Sequence, residues 1–197
     1  MTFTAKQRDA IESWIAAAAS LEAIFFRSVE RRYMDPAHVL SGEGTAASGG
    51  RFAAAGLRAV YLSTTDSGAT KETTERKSRL GGSAQISLEK YPRIVYAVGV
   101  KLQRVVRLND LGISAPGGAV RNSCLDKDDL ARSIDMATQL EKAGIQGLIF
   151  PSVVPGGDDN LIVYLRNCVP GSLRIQNEDE FIEETKKIAA KRRLPSL

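Results

Sequence analysis

Apolar positions recur along this chain at two different spacings. Ile11, Trp14, Ile15, Ala18 and Leu21 lie three or four residues apart, and Thr4 stands where an N-cap belongs, so the pattern predicts an amphipathic helix over Ala5 to Ser20. Ile134, Ala137 and Leu140 repeat that spacing, with Asp126 as the expected N-cap of a helix running to about Ala143 and Gly144 as its terminator. Two more helices are expected, from about Gly68 to Leu80 behind the cap candidates Thr64-Thr65-Asp66-Ser67, and from Glu178 to Lys191. Between them lie short apolar runs rich in β-branched and aromatic residues: Glu22 to Ser28, Leu57 to Ser63, Arg93 to Gln103, Ile145 to Phe150, Leu161 to Leu165 and Leu173 to Ile175. Each reads as a strand, and Arg104 to Leu108 reads as a continuation of the third after a bend. The first run is expected to end at Arg27. Glu30-Arg31-Arg32-Tyr33, Asp35-Pro36 and Pro155-Gly156-Gly157-Asp158-Asp159 read as turns, Gly81-Gly82-Ser83 as a break, and Asn109 to Cys124 as irregular. Helices and strands do not alternate regularly. The fold class is therefore α+β, with mixed or antiparallel central sheets flanked by helices.

One polar stretch interrupts this pattern conspicuously. Ser41-Gly42-Glu43-Gly44-Thr45-Ala46-Ala47-Ser48-Gly49-Gly50-Arg51-Phe52 holds four glycines and delivers an arginine directly after two of them. It reads as an ordered loop that lets main chain approach something and then presents Arg51. It is not a nucleoside-triphosphatase phosphate loop, since no Gly-Lys-Ser/Thr follows, nor a dinucleotide fingerprint opening a helix after a strand. Alone, such a cluster reads as a structural connector and not as a site.

Composition narrows the choice of function. At 197 residues with 43% apolar and 25% charged side chains, the chain has the material for one domain with a real core. The net charge of +4 suits anionic ligands, but aromatic residues are only 6% and the basic ones are scattered, apart from Lys186-Lys187 and Lys191-Arg192-Arg193 near the end. A nucleic-acid surface is not expected from that distribution. No apolar run approaches the roughly 20 residues that span a bilayer, and the polar N-terminus does not have the order of a signal peptide, so a cytoplasmic protein without membrane contact is the expectation. Cys124 and Cys168 have no metal-ligand spacing. A single histidine, His38, rules out a multi-histidine metal centre and weakens any serine or cysteine hydrolase reading, so no metal is expected.

A constellation spread over several elements is more specific. Phe25-Phe26-Arg27, Leu40-Ser41-Gly42-Glu43-Gly44, Gly49-Gly50-Arg51-Phe52, Val60-Tyr61-Leu62-Ser63, Ala69-Thr70-Lys71-Glu72, Ile149-Phe150-Pro151-Ser152 and Asn160-Leu161-Ile162-Val163-Tyr164 occur in that order. This series resembles the RES domain, a family named for its Arg, Glu and Ser, over roughly Phe25 to Ile175. The resemblance implies a single domain over 1–197, with a helix in 1–23, a RES core in 24–176 and a C-terminal helix in 177–197. It implies a fold similar to the diphtheria-type ADP-ribosyltransferases. It further implies a toxin of a bacterial toxin–antitoxin pair, neutralised by an Xre-type antitoxin. Such a toxin uses NAD+ as substrate, either cleaving it by hydrolysis or phosphorolysis or transferring ADP-ribose to a protein acceptor. Carried over by motif position, Glu72, Arg51 and Ser152 are the candidate catalytic residues. Arg27, Arg51, Tyr61, Gly50 and Tyr33 are the candidate NAD+ contacts, Tyr33 standing in for an aromatic that relatives carry where this chain has Ser28. Phe52 and Ala53 also depart from the family pattern of tryptophan and asparagine.

The residue types suit that chemistry. Guanidinium forks bind pyrophosphate oxygens in a planar, bidentate way, which fits Arg27 and Arg51. Glycines at 49 and 50 let main chain come close to the same ligand. Breaking the nicotinamide–ribose bond develops oxocarbenium character on the ribose, which a carboxylate such as Glu72 stabilises. Nicotinamide leaves as a neutral group and requires no strong acid. Tyr61 is placed to stack on nicotinamide, and Ser152 to bond the ligand or orient Glu72. Glu43 is expected in a salt bridge with an arginine.

Overall fold

The architecture follows from strands that are apolar on both faces. The computed structural model describes residues 3–78, 92–108, 117–126, 130–152, 154 and 158–176. The expected terminal helix, the two basic runs, the Gly81-Gly82-Ser83 break and residues 155–157 of the expected turn lie outside these residues.

Helix α1 (Ala5–Ala16) is capped as its sequence predicts: the Gln7 N–H donates to the Thr4 hydroxyl at 3.4 Å, and the Thr4 N–H donates to Gln7 Oε1 at 2.9 Å. It buries Ala10, Ile11 and Trp14. It stops four residues short of Ser20 because the chain from Ala19 onward is already paired as a strand. Strand β1 (Ala19–Glu30) runs antiparallel to β3 (Arg93–Arg107), from Glu22 opposite Lys101 to Glu30 opposite Arg93. Arg27 therefore lies inside a strand that continues to Glu30, not at its end. The bend expected within β3 is a bulge: the register slips between Ala19–Val105 and Leu21–Leu102, and the freed N–H groups of Gln103 and Arg104 donate to the Gln146 side-chain oxygen.

Six strands form one curved sheet instead of separate sheets. Strands β2 (Ala59–Ser63), β4 (Gly147–Pro151), β5 (Asp159–Tyr164) and β6 (Leu173–Ile175) complete it in the order β1-β2-β5-β4-β3-β6, and the extra β1–β3 pairing closes five of them into a ring. All neighbours are antiparallel except β3 and β4. Between β1 and β2 the ring closes through a single pair, Phe26 opposite Ser63. Alternate residues of β2, β4 and β5 enter two cores. Val60, Leu62, Ile149, Leu161 and Val163 point into the ring with Phe25, Val98 and Val100. Ala59, Leu148, Phe150, Ile162 and Tyr164 face outward onto a second core with Trp14, Met136 and Leu140. Two-sided burial explains why these strands read as unbroken apolar runs.

Helices α4 (Asp66–Ser78), α5 (Gly117–Leu125) and α6 (Leu130–Lys142) flank the sheet, with Gly144 at φ 78° ending the turn after α6. Helix α5 occupies part of the stretch expected to be irregular. Its Gly117-Gly118 start disfavours helix, and packing against α1 and α6, with Cys124 wholly buried, overrides that preference. A 3₁₀ turn (Arg31–Tyr33) and the short α2 (Pro36–Val39), capped by Asp35 Oδ1 on the Ala37 N–H at 2.9 Å, link β1 to the glycine stretch. That stretch is not the loop its glycine content suggests, because Glu43–Ser48 forms helix α3. Gly42 and Gly49 take positive φ, 68° and 67°, on either side, so two of the glycines bracket a helical turn and do not dissolve it.

Candidate active site

Glu72 is placed by the packing of α4. Gly68 and Glu72 lie one turn apart on the same helix face, and a Cβ on Gly68 would stand 2.5 Å from the Ser63 hydroxyl. The bare glycine lets α4 settle onto β2, and Glu72 then reaches the adjoining β4–β5 edge. There its Oε1 accepts two hydrogen bonds, one from the Ser152 hydroxyl and one from Asn160 Nδ2 at 2.7 Å. Ser152, just past the end of β4, is itself held, its Oγ accepting the Val154 N–H at 3.0 Å. Asn160 is the second residue of β5, in register with Phe150, and is buried. Sequence reasoning did not single it out as a site residue. Its signal is slight, a polar side chain next to Asp159 before the apolar run of β5.

Arg51 leaves a tight turn in which Gly50 N–H donates to the Ala53 carbonyl at 2.9 Å and Ala53 N–H to the Gly50 carbonyl at 3.3 Å. Gly50 has a second task. A Cβ there would lie 2.6 Å from the Tyr61 hydroxyl, so only glycine admits the tyrosine ring in this place. Arg51 Nη2 donates to the Leu125 carbonyl, and the guanidinium carbon stands 5.5 Å from the centre of the Phe52 ring. Its buried Nε has no hydrogen-bond partner among the described residues. Burial lowers the Arg51 pKa, and the Glu72 carboxylate is the largest influence opposing that shift. The arginine and the glutamate therefore act within one local field. Phe52 and Ala53 are completely buried, Phe52 against Phe150 with ring centres 4.5 Å apart, so the two departures from the family pattern support the turn from beneath.

Arg27 reaches from β1 to the backbone of β2. Its Nη1 donates to the Tyr61 carbonyl at 2.9 Å, while its buried Nε has no partner among the described residues. Burial first, and then the neighbouring Arg93 charge, lower its pKa to about 10. Tyr61 thus joins both arginines, taking Arg27 on its carbonyl and the N–H next to Arg51 on its hydroxyl at 2.9 Å. Its ring lies edge-on to Phe150 at 6.3 Å.

The other residues singled out in the sequence have partners of their own. Ser28 accepts Arg93 Nε on its hydroxyl at 2.8 Å and Arg93 Nη2 on its carbonyl at 2.9 Å. Tyr33 is 52% exposed on the 3₁₀ turn, with the Arg32 guanidinium 5.0 Å from its ring centre. Glu43 meets Arg58 at 4.0 Å, and exposed His38 meets Asp35 at 3.7 Å. Among the described residues no cluster of His, Cys, Asp and Glu could hold a metal, and no helix is long and apolar enough to cross a membrane.

The geometry thus gathers the Arg, Glu and Ser of the sequence motifs around one turn and one strand edge. Residues 24–182, most of the chain, match the RES domain, and the chain belongs to that family. Among solved structures it is similar to the MbcT toxin in the M. tuberculosis MbcT–MbcA toxin–antitoxin complex, with a TM-score of 0.68 and 19% identity over 89% of this chain and 96% of that one. At that identity the likeness is one of fold. No curated protein matches this sequence.

Proposed function

We propose that this protein is the toxin of a toxin–antitoxin pair, acting in the cytoplasm on NAD+ and held in check by an Xre-type antitoxin. Its reaction is cleavage of the nicotinamide–ribose bond, with the ADP-ribosyl group passed to water or phosphate. The observation that carries this reading is the Glu72 carboxylate, clamped through one oxygen by Ser152 and Asn160 and sharing the field of Arg51. The family and a fold like that of MbcT, a toxin seen with its antitoxin, support it. A sheet closed on itself and flanked by helices also accords with a diphtheria-type ADP-ribosyltransferase ancestry.

In this reading Arg27 and Arg51 hold the pyrophosphate, each with a buried Nε still to be satisfied. Glu72 bonds a ribose hydroxyl through Oε2, which has no hydrogen-bond partner among the described residues, and stabilises positive charge at the anomeric carbon. The carbon–nitrogen bond breaks with its electron pair going to nicotinamide. The oxygen of water or phosphate bonds to the same carbon, and the proton is released to solvent. The test is nicotinamide release from NAD+ by purified protein, with and without phosphate and with and without candidate protein acceptors. Free ADP-ribose, or its 1-phosphate when phosphate is added, is expected. Label transferred to a protein would shift the reading to a mono-ADP-ribosyltransferase, and absence of release under every condition overturns it.

A further inference from the structure

The asparagine that meets Glu72 lies in one of the motifs that carry the resemblance, yet the family's Arg, Glu and Ser assign it no task. We propose that Asn160 is the positioning residue of the site, the rigid uncharged donor that sets the direction of the Glu72 carboxylate; this rests on the NAD+-cleavage reading.

Two donors converge on a single oxygen. The Ser152 hydroxyl and Asn160 Nδ2 both bond Oε1, and Oε2, which has no hydrogen-bond partner among the described residues, is left to face a ligand. Ser152 stands beyond the last paired residue of β4 and is steadied by one backbone N–H. Asn160 lies within the sheet, paired with Phe150 on one side and Ser63 on the other, and is 6% exposed. A carboxylate held by both therefore takes its orientation from the strand residue, because that one cannot shift without breaking ladder bonds on two sides. An ionised carboxylate offers only lone pairs, so the asparagine amide must present its NH₂ and its orientation is fixed. The amide is also neutral. A lysine or arginine in this place would fix the carboxylate just as well but would cancel the charge that the ribose cation needs.

The experiment compares wild type, Asn160→Ala and the isosteric Asn160→Asp for nicotinamide release across pH. Asn160→Ala is expected to lower kcat by about 10- to 100-fold while KM for NAD+ stays within about threefold, because orientation is lost and the binding arginines are untouched. In Asn160→Asp the new carboxyl can replace the amide only while it carries a proton to donate to Oε1. Its activity should therefore peak where the facing pair of carboxyls holds a single proton and fall as pH rises and two carboxylates face each other, an alkaline fall absent from wild type and from Asn160→Ala. A purely structural asparagine would not produce that fall. Wild-type kcat in Asn160→Ala, or a pH profile of Asn160→Asp parallel to wild type, overturns the proposal. If the wild-type protein releases no nicotinamide, it is the NAD+ reading that fails. The crystal structure of Asn160→Ala then decides the positioning role: a Glu72 carboxylate unmoved on Ser152 overturns it, and one turned away upholds it.

Discussion

The Phe52 N–H donates to the Tyr61 hydroxyl at 2.9 Å, and this bond fastens the turn that carries Arg51 to the middle of β2. The ring has a neighbour in Phe150 and needs no hydroxyl to stay in place. Tyr61→Phe should therefore keep the packing and strip the acceptor from an N–H on a wholly buried residue. An unsatisfied buried donor costs about 1–3 kcal/mol, which urea unfolding can read. The KM for NAD+ should rise as well, since Arg51 then sits on a looser turn. Unchanged stability and unchanged KM would mean that the hydroxyl contributes nothing to holding the turn.

Glu72→Gln separates charge from shape. The amide oxygen can still accept from Ser152 and Asn160, so the clamp survives while the negative charge is lost. Turnover is expected to fall by about 100-fold or more, with NAD+ binding by calorimetry within a few-fold of wild type. Full turnover in this variant would remove Glu72 from the chemistry.

The α+β class was legible because two-sided burial leaves a plain mark. Strands β2, β4 and β5 feed two cores and appear as apolar runs, and Thr4 announces α1. What escaped was local sequence overruled by position. Glycine density hid α3, because Gly42 and Gly49 act at its ends and only Gly44 lies within it. Helix α5 was hidden because its reason to exist is burial of Cys124 beneath other helices, which no local pattern records. In the site, the order of motifs pointed to Arg51, Glu72 and Ser152, and the structure brings Glu72 and Ser152 into contact and Arg51 into the same field. It could not reveal that Arg27 meets Tyr61 through a backbone carbonyl, or that Asn160 joins the clamp, because both depend on which strands are neighbours.

Arg27 and Arg51, each with a buried Nε that has no partner among the described residues, should respond to an anion even without catalysis. Inorganic pyrophosphate is expected to raise the melting temperature of the wild type, less so at high salt and little in Arg27→Gln/Arg51→Gln. At a concentration of about 100 Kd the gain would be roughly 2.7 kcal/mol. An equal shift in the double variant would place the anion elsewhere.

Tyr96 provides a pH test of the fold. Its hydroxyl donates to the Met34 carbonyl at 2.6 Å, and burial, then the Asp35 charge, push its pKa up to about 12. An acid whose folded pKa lies above its unfolded value near 10 stays protonated in the folded state while the unfolded chain ionises. Its contribution is fully present below pH 10 and is lost as pH rises from 10 through about 12. Tyr96→Phe should lose less stability than wild type over that window in denaturant titrations. Parallel curves would show that the phenol is not held back from ionising.

Gly68→Ala sets two effects of opposite sign against each other. In an exposed helix the change to alanine stabilises by up to about 1 kcal/mol. Here the added Cβ would lie 2.5 Å from the Ser63 hydroxyl and 2.9 Å from Thr65 Oγ1, and Ser63 is only 2% exposed. Overpacking of that kind costs about 1–3 kcal/mol, so the contact outweighs the propensity and α4 is expected to lift from β2. Glu72, one turn further along the same face, would move with it, and nicotinamide release should fall more than stability alone explains. Ser63→Gly in the Gly68→Ala background removes the obstructing hydroxyl and should restore much of the turnover. A Gly68→Ala variant that is more stable than wild type and fully active would show that the seating of α4 on β2 does not place Glu72.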